Sequence, residues 1–340
     1  MRSFWLFRTN LKHLEYYHQY KDLQTFKENC HDYYLLLPLW LLENDIFDQV
    51  IIWRLTNSKI DDIVFNVGNK QYIQRWVNDL SEIFQYEKPE ISFFRGGFKE
   101  YDIVTKERPS HFGLKLYLGA GKRIFPQWGG KYDRILLEDE RDFTTTVSYI
   151  PFYKTASPYI FKPLNTGREY EVCWPCNFEQ LSYKGQQKFI ETMSSCDYLR
   201  SLKIIHCGNK PEVGKKLCEK YNIKNITFIG PVDRTKLNEY LNKSKIGMNL
   251  SNRLDGCPRV STEILMSGTP LLILEETRLL KYFKTKGVVE MNWTSIIRKM
   301  HEVLNYNKKF RNEVLEAINN DLSFDSINKK NIKIWKKCGG

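Results

Sequence analysis

In the second half of the chain, short apolar runs alternate with longer stretches whose apolar residues recur at helical spacing. The runs that predict strands are EYEVCWP, LKIIHCG, NITFIG, KIGMNLS, PLLIL and GVVEM. The stretches between them that predict helices are SYKGQQKFIETMSS, PEVGKKLCEKYNI, DRTKLNEYLNKS and PRVSTEILMSG. This alternation indicates βα units around a parallel sheet. Several runs end in Gly or Ser, at the edge where a doubly wound sheet opens its ligand crevice.

The first half of the chain carries a similar but weaker pattern. It predicts strands at YLLLPLW, QVIIWRL, DDIVFNV, EISFFRG, LKLYLGAG and DRILLED, and a helix at KQYIQRWVNDLSEIFQY. The two halves join in PFYKTASPYIFKPLNTG, which holds three prolines and no long periodic run. The first half therefore predicts a second α/β domain.

We accordingly predict an α/β protein with two Rossmann-like, doubly wound domains that face a cleft. The predicted parts are an α/β domain at 1–160, a second α/β domain at 165–322 and a basic C-terminal helix at 323–340. That helix contains INKKNIKIWKKC, whose lysines and apolar residues are compatible with a membrane-surface helix. Two domains with a cleft suit a transferase, which must hold two substrates and exclude water.

Charge and targeting signals narrow the partners and the compartment. The formal net charge of +12 favours anionic partners, namely phosphates, nucleic acid such as DNA, or an acidic membrane surface. The N-terminus lacks the continuous apolar core of a secretion signal. The longest apolar run is far shorter than the ~20 residues that span a bilayer. We therefore expect a cytoplasmic protein, with peripheral membrane attachment as an option.

Cysteine usage fits that compartment. The eight cysteines are irregularly spaced, which does not suggest a disulfide framework. Cys173 and Cys176 form a lone CWPC, a pattern that fits a redox dithiol or half of a zinc site. No second C-x-x-C completes a zinc site, so we expect buried or incidental cysteines.

The stretch RLDGCPRVSTEILMSGTPLLIL, residues 253–274, surrounds a predicted helix start. The preceding strand delivers the chain to the crevice at Ser251, and Asp255 and Gly256 follow in the loop. Pro258 suits the first helical position, where a missing N–H costs little. The helix N-terminus offers unpaired N–H groups and partial positive charge, and Gly256 lets a ligand approach the backbone. Together these features predict a site for a diphosphate.

Glu263 lies about one and a half turns inside this helix. Because like charges repel, we do not expect its carboxylate to face phosphate, but it can accept two hydrogen bonds from the vicinal diol of a ribose. Asp255, on the loop side, is placed to reach the hydroxyls of a sugar beyond the phosphates. We therefore predict that the two acids bracket a nucleotide-diphosphate sugar, and that Gly268 ends the helix as a left-handed cap.

The same window resembles the signature of GT-B fold, family 4-like retaining glycosyltransferases (glycosyl transferases group 1). That signature has an acid, a glycine, a second acid eight residues after the first, and then a small residue with Gly-Thr-Pro and an apolar strand. Other segments match in the same order, namely FKP at 161–163, YKGQ at 183–186, HCG at 206–208 and ITFIGPVDRTKLNEYLNKSKIGMNLS at 226–251. The resemblance covers residues 150–285 and is thin before them. It implies that the domain at 1–160 binds the acceptor, that the domain at 165–322 binds the donor, and that the helix at 323–340 crosses back to the first domain.

The resemblance assigns roles to individual positions. Glu263 would bind the ribose, Asp255 would lie near the sugar or the phosphates, and Lys184 would neutralise the diphosphate. We take these three as the catalytic candidates. The other donor-binding candidates are Gly256, Cys257, Arg259, Val260, Gly208, Gly230 and Ser251.

Three positions depart from the pattern of the family. The Arg that usually precedes the Lys-Gly is missing from CWPCNFEQLSYKG. Pro258 replaces the second glycine of the signature and removes one amide donor, and Arg259 stands where an apolar residue is common. We hypothesise that Arg259 supplies the cation that the earlier loop lacks.

The resemblance implies transfer with retention at the anomeric carbon. The acceptor hydroxyl would attack from the face that the diphosphate leaves, and a phosphate oxygen would take the proton. Catalysis would then depend on positioning and on stabilising the departing diphosphate with cations and amides. Folds of this type usually need no metal, and the sequence has no Asp-x-Asp pair. We expect no cofactor beside the nucleotide-sugar co-substrate.

The acceptor is expected in the first domain. FFRGGFKEY ends a strand in Arg95, Gly96 and Gly97, and YLGAGKR ends another at Gly119. Glycines after a strand bring backbone amides close to a ligand. His111 is a further polar candidate, and the alternative for each residue is an ordinary turn or surface loop.

Three other functions fit the same residues. A transferase of this fold that glycosylates a hydroxylated DNA base would suit the basic surplus. An epimerase would convert a nucleotide sugar without an acceptor. A non-catalytic protein would bind the donor without turnover, which Pro258 and the missing Arg suggest. The favoured function is transfer to a glycan or to a lipid- or protein-linked acceptor.

Overall fold

The computed structural model of the protein describes residues 1–8, 19–55, 60–95, 106–119, 132–137, 149–178, 184–252, 259–277, 283 and 287–338. The chain divides into two compact units. The first unit is Met1–Tyr153 together with Asn328–Gly340, and the second is Lys154–Ile327. Within the described ranges, the strands of each unit form one sheet.

In the first unit, the described strands form a single eight-stranded sheet. They are β1 Ser3–Arg8, β2 Gln49–Leu55, β3 Ile63–Val67, β4 Lys70–Val77, β5 Ile91–Arg95, β6 Leu114–Gly119, β7 Arg134–Leu137 and β8 Tyr149–Pro151. The order is β3-β4-β2-β1-β5-β6-β7-β8, and only the β3–β4 pair within this sheet of described strands is antiparallel. The helices include α1 Leu23–Asn29, α2 Tyr33–Glu43 and 3-10 helices at Leu80–Gln85 and Pro109–Phe112. The predictions of β2, β3, β5, β6 and β7 are confirmed.

One predicted strand of the first half is wrong, because YLLLPLW lies in α2. Asp32 caps this helix and accepts a hydrogen bond from the Tyr34 amide at 3.0 Å. Every residue from Tyr33 to Leu42 is buried, so the helix has no polar side that would reveal its period. Such an apolar run cannot be assigned to helix or strand from periodicity alone. Pro38, inside the helix, also argues against a helix at the level of sequence.

The predicted helix KQYIQRWVNDLSEIFQY is also wrong. Its first part is β4, and only the second part forms the short 3-10 helix Leu80–Gln85. Asp79 separates the two, since its carboxylate accepts from the Ser81 amide at 2.9 Å while Glu82 accepts from the Asp79 amide at 3.2 Å. Apolar residues at positions 72, 73, 76 and 77 fit helical spacing, but they equally fit a strand that is buried on both faces.

The N-terminal run SFWLFR was not predicted as an element, yet it forms β1 near the middle of the sheet. This strand pairs with β2 on one side and β5 on the other. Trp5 and Phe7 are fully buried in an apolar cluster that also contains Trp53 and Phe94. Helix α1 was likewise not predicted.

In the second unit, the described strands form a six-stranded, fully parallel sheet in the order β11-β10-β9-β12-β13-β14. They are β9 Tyr170–Pro175, β10 Ile204–Cys207, β11 Ile226–Phe228, β12 Ser244–Asn249, β13 Leu271–Leu274 and β14 Val288–Met291. The helices include α3 Gln186–Ser194, α4 Asp197–Ser201, α5 Pro211–Lys220, α6 Arg234–Asn242, α7 Arg259–Met266, α8 Ile296–Asn305 and α9 Asn307–Ala317. All six predicted strands of this half are confirmed. The order is that of a dinucleotide-binding sheet, and it reverses between β9 and β12.

Helix α7 packs tightly on β12, the strand that precedes it. A Cβ at Gly247 in β12 would lie 2.5 Å from Cγ2 of Ile264 in α7, so only glycine permits this approach. Gly268 ends α7 with a φ of 70°, and its amide donates to the carbonyl of Leu265 at 2.8 Å. The predicted left-handed cap is therefore confirmed.

The last helix, α10 Phe324–Cys338, follows a π-helical turn at Ile318–Leu322. Its residues from Asn328 on belong to the first unit. Trp335 in this helix is fully buried and stacks against Phe4 and Phe152. The Asn331 side chain bonds the backbone of Tyr153 at both its amide and its carbonyl. The apolar side of α10 is thus covered by the core of the protein itself. Within the described ranges, no helix combines the length and apolarity needed to cross a membrane.

Candidate active site

Most of the predicted donor-binding residues lie around the carboxyl edge of the second sheet. β9 ends at Pro175 and β12 ends at Asn249. Helix α3 follows β9 and α7 follows β12, so both helices begin near this edge. In doubly wound sheets, ligands bind outside the carboxyl ends of the strands where the strand order reverses. The order reverses between these two strands.

A buried hydrogen-bond network fixes the chain as it leaves β12. Ser251 donates its amide and its hydroxyl to Oδ1 of Asn249, at 3.1 and 2.7 Å. Its carbonyl accepts from the Thr277 hydroxyl at 2.6 Å, and Asn249 donates to the Ser261 hydroxyl in α7 at 2.9 Å. All four residues are buried. Ser251 therefore shapes the loop, and its hydroxyl is engaged with a protein group.

The loop that follows is only partly described. The predicted site residues outside the described ranges are Asp255, Gly256, Cys257, Gly96 and Gly97, together with Pro258. Arg259 is the first residue of α7 and is exposed, and Val260 is half-buried. The first turn of a helix carries N–H groups without intrahelical partners and partial positive charge. An anion at this helix end would therefore meet both the dipole and the Arg259 guanidinium.

Glu263 lies inside the same helix and is buried, with 4% of its side chain exposed. Its Oε2 accepts a hydrogen bond from Nη1 of Arg234 at 3.0 Å. Arg234 opens α6, and Asp233 caps that helix by accepting from the Lys236 amide at 2.7 Å. A buried carboxylate needs a cationic partner, and Arg234 provides it. No sequence pattern predicts this pair, because only the packing of α6 and α7 brings the two residues together.

Lys184 and Gly185 lie at the start of α3. Gly185 has a φ of 68°, and a Cβ there would lie 2.7 Å from the carbonyl oxygen of Leu250. Only glycine therefore lets the helix begin against the end of β12. Lys184 directly precedes Gly185 in the chain, so it lies at the same helix start beside the end of β12. This places the predicted diphosphate-neutralising cation at the carboxyl edge.

Gly208 and Gly230 follow β10 and β11 at the same edge. The Gly208 amide donates to the Gly230 carbonyl at 2.9 Å. A Cβ at Gly208 would overlap the Cys176 carbonyl oxygen, at 1.8 Å. Gly230 has a φ of 78°, and a Cβ there would meet only Pro211, at 3.8 Å, within the described residues. Gly208 thus serves close packing, whereas Gly230 leaves open space.

Cys173 and Cys176 are free thiols. Burial raises the pKa of both, well above the ordinary range for Cys173. Sγ of Cys176 lies 3.4 Å from Nε2 of His206, whose own pKa is lowered by burial to about 4. Neutral, buried thiols are poor nucleophiles. In the described part of the chain, no group of three or more His, Cys, Asp or Glu residues is arranged to hold a metal.

The described acceptor candidates have packing partners in the first unit. The Arg95 guanidinium lies over the Tyr34 ring, 3.8 Å from its centroid. His111 is half-buried, with its ring against Trp5 and Phe84 and its Nε2 at 3.4 Å from the Ile83 carbonyl oxygen. Gly119 is the last residue of β6. His111 therefore supports the core, while Arg95 brings a cation to the carboxyl end of β5.

The comparisons with solved structures concern the whole chain. Sucrose-phosphate synthase from Thermosynechococcus elongatus is 10% identical with a TM-score of 0.67, and the match covers 99% of both chains. A glycosyltransferase from Rickettsia africae ESF-5 is 12% identical with a TM-score of 0.69, over 99% of this chain and 98% of that chain. The E. coli trehalose-6-phosphate structure bound with UDP-2-fluoro glucose is 9% identical with a TM-score of 0.65, over 99% of both chains. No curated protein matches the sequence.

Two α/β units, each built on a largely parallel sheet, together with these structural matches define the GT-B fold. Residues 179–320, which include α3, α7 and the Arg234–Glu263 pair, match the family described as Glycosyl transferases group 1. The protein is a GT-B glycosyltransferase, and the match to the group 1 family lies in its second unit. The predicted fold and enzyme class are confirmed, and the predicted family matches over residues 179–320.

Proposed function

We propose that the protein is a retaining glycosyltransferase that moves a sugar from a nucleotide-diphosphate sugar to a hydroxyl acceptor on a glycan, lipid or protein. The observation that carries this proposal is Glu263, a carboxylate buried near the carboxyl edge of a Rossmann-like sheet and oriented by Arg234. A carboxylate held in this way can accept hydrogen bonds from both hydroxyls of a ribose. The group 1 match over the same residues supports this assignment.

The diphosphate would lie between two helix starts. The first turn of α7 offers backbone N–H groups and Arg259, and the start of α3 offers further N–H groups and Lys184. Both helix ends carry partial positive charge. As the bond between sugar and phosphate breaks, charge accumulates on the departing diphosphate, and these donors stabilise it.

The remaining steps need no further protein group. A phosphate oxygen of the leaving diphosphate takes the proton of the acceptor hydroxyl on the same face of the sugar, so no protein base is assigned. Asp255 would orient the hydroxyls of the sugar. We assign neither a metal nor a cofactor. The acceptor would bind the first unit, where Arg95 at the end of β5 contributes a cation.

The donor can be identified by thermal unfolding in the presence of UDP, GDP and ADP and their sugar conjugates. A ligand at 100 times its dissociation constant raises the free energy of unfolding by ~2.7 kcal/mol. We expect the nucleotides of one base to stabilise the wild type and to leave the stability of Glu263→Ala unchanged. Glu239→Ala, which removes a partly exposed carboxylate from α6, is the matched control. Equal stabilisation of wild type and Glu263→Ala would overturn the ribose assignment.

Transfer and its stereochemistry need a second experiment. With the donor identified, products formed on glycan, lipid-linked and peptide hydroxyls and on hydroxymethylated duplex DNA would be separated, and the anomeric configuration would be determined by NMR. We expect the new glycosidic bond to have the same anomeric configuration as the sugar–phosphate bond of the donor. An inverted product would exclude retention, and donor binding without transfer to any acceptor would favour a non-catalytic protein.

A further inference from the structure

A cavity of about 420 Å³ lies in the second unit beside the start of α3. Its apolar lining comes from Leu250, Leu274 and Trp293, which follow or end β12, β13 and β14. The polar lining includes Lys188, Asn252 and Glu276. The cavity therefore lies at the carboxyl edge of three neighbouring strands, the same edge that holds the predicted donor-binding residues.

Gly185 connects this cavity with the diphosphate position. It lines the cavity and directly follows Lys184 at the start of α3. A Cβ at Gly185 would lie 3.2 Å from Cη2 of Trp293 and 2.7 Å from the Leu250 carbonyl oxygen. The missing side chain thus keeps the helix start, the strand end and the indole together around one space. Because a donor sugar is joined to its diphosphate through a single oxygen, a diphosphate held at Lys184 brings the sugar ring within reach of this space.

We propose that this cavity is the sugar pocket of the donor, lined by Gly185, Lys188, Leu250, Leu274, Glu276 and Trp293, and that Trp293 and Glu276 determine which sugar is accepted. The proposal rests on the function proposed above. A hexose has C–H faces that pack on apolar and aromatic side chains, and hydroxyls that bond carboxylates and amides. The volume lies near the lower end of the roughly 300–1,000 Å³ of small-ligand sites, which suits one sugar unit.

The charges around the pocket favour an uncharged sugar. Nζ of Lys188 lies 4.9 Å from the centroid of the Trp293 ring, an arrangement that steadies the indole. Glu276 and Glu191 line the same space, and Glu191 accepts hydrogen bonds from Gln187 at 2.8 Å and from the Tyr221 hydroxyl at 2.9 Å. Among the described lining residues, two carboxylates and one ammonium give a net negative charge. A neutral hexose or N-acetylhexosamine therefore fits better than a uronic acid, whose carboxylate would be repelled.

The test measures the contribution of the sugar to binding separately from that of the nucleotide. Dissociation constants would be measured by calorimetry on the full chain for UDP, UDP-glucose, UDP-N-acetylglucosamine and UDP-glucuronic acid, with GDP and GDP-mannose as a second series. For Trp293→Ala, we expect the preferred sugar nucleotide to bind about tenfold more weakly, a change equal to 1.4 kcal/mol, while the free nucleoside diphosphate is unaffected. Trp293→Phe should restore part of the difference, because a smaller aromatic face remains.

A second variant avoids the risk that loss of a large side chain disturbs the fold. Glu276→Gln keeps the size of an exposed side chain and removes its charge. We expect it to weaken the neutral sugar nucleotide and to reduce the discrimination against UDP-glucuronic acid. Tyr306→Ala, an aromatic truncation at an exposed position outside the pocket, is the control and should match the wild type.

The possible outcomes are distinguishable. If the wild type binds no nucleotide of either series, the proposed function fails and the pocket assignment fails with it. If the wild type binds sugar nucleotides and Trp293→Ala and Glu276→Gln leave every dissociation constant unchanged, the pocket assignment alone is overturned. Equal weakening of free UDP and UDP-glucose by Trp293→Ala would also overturn it, because the pocket would then hold the nucleotide itself.

Discussion

Arg234, the first residue of α6, holds the carboxylate of Glu263 in α7 through a hydrogen bond of 3.0 Å. The Glu263 side chain is 4% exposed and that of Arg234 is 34% exposed, so the pair lies at the boundary between core and solvent. Among the described residues, the hydrogen bonds of the Glu263 side chain involve Oε2. The guanidinium binds one oxygen of the carboxylate and stabilises its negative charge. The proposed ribose contact therefore depends on Arg234 as well as on Glu263.

Replacing Arg234 should therefore weaken nucleotide binding, because Arg234 orients the carboxylate that is proposed to bind the ribose. Arg234→Gln leaves Glu263 buried without its cation, and removal of one partner of a fully buried pair costs 3–5 kcal/mol as an order of magnitude. Because Arg234 is partly exposed, we expect about 2 kcal/mol in the free energy of unfolding. We expect about a tenfold rise in the dissociation constant of the nucleoside diphosphate. Calorimetry and urea unfolding measure the two effects.

Lys236→Ala is the matched control for this change. Lys236 lies on the same helix, pairs with Glu239 and is well exposed, so its loss should leave nucleotide binding intact. The double variant Arg234→Gln, Glu263→Gln should recover part of the lost stability, because no unpaired charge remains buried. A double variant as unstable as the sum of the two single variants would show that the pair is not coupled.

Gly185→Ala should disturb both the fold and the donor site. The new methyl group would lie 2.7 Å from the Leu250 carbonyl oxygen, and the residue would keep a φ of 68° that alanine disfavours. We expect a loss of about 2 kcal/mol or more in the free energy of unfolding. Thermal unfolding with and without the donor would show both effects. Gly167→Ala is the control, since a Cβ there meets nothing within 4 Å of it among the described residues, and a melting temperature that falls equally in both variants would contradict this account.

The sequence predicted the second unit well because most of its elements follow one rule. The central strands β10, β12 and β13 are short apolar runs with both faces covered, and helices such as α5 keep a polar side. In the first unit, that rule fails for α2, which is buried on all sides, and for β4, whose apolar residues fit two periods. Long-range packing decided these two cases, and a single sequence does not display it.

The candidate site was also predicted only in part from the sequence. Glu263 stands out in sequence because its spacing from Asp255 and the Gly-Thr-Pro that follows carry a family resemblance. Arg234 does not stand out, because 29 positions separate it from the carboxylate that it holds. Trp293 and Glu276 likewise become neighbours of Gly185 only through the order of the strands. Motifs therefore predicted the candidate donor-binding loops, whereas the residues proposed to orient and enclose the donor were found only in the fold.

His206 should make the stability of the protein depend on pH. It is fully buried among the rings of Trp174, Phe178 and Phe228. Burial lowers its pKa from an ordinary 6.5 to about 4. The unfolded chain therefore binds more protons than the folded chain between these values, and the free energy of unfolding falls as the pH falls from 6.5 to 4. A shift of this size corresponds to about 3 kcal/mol, all of it retained above pH 6.5.

Urea unfolding between pH 4 and pH 7 measures this dependence. His206→Phe removes the titrating group and keeps an aromatic side chain, so its stability should vary less with pH across that window. His301→Gln, at an exposed position of α8, should retain the slope of the wild type. A slope that persists in His206→Phe would assign the acid sensitivity to other groups.

Arg259→Ala tests the cation that this protein has in place of a common apolar residue. Arg259 is exposed at the first position of α7, where the N-terminal dipole also favours an anion. We expect the dissociation constant of the nucleoside diphosphate to rise about tenfold. The difference between wild type and variant should shrink at high salt, because exposed charges are screened. Arg298→Ala, which removes an exposed guanidinium from α8, should bind the nucleotide like the wild type. An unchanged dissociation constant in Arg259→Ala would mean that Lys184 and the helix amides bind the diphosphate without help from Arg259.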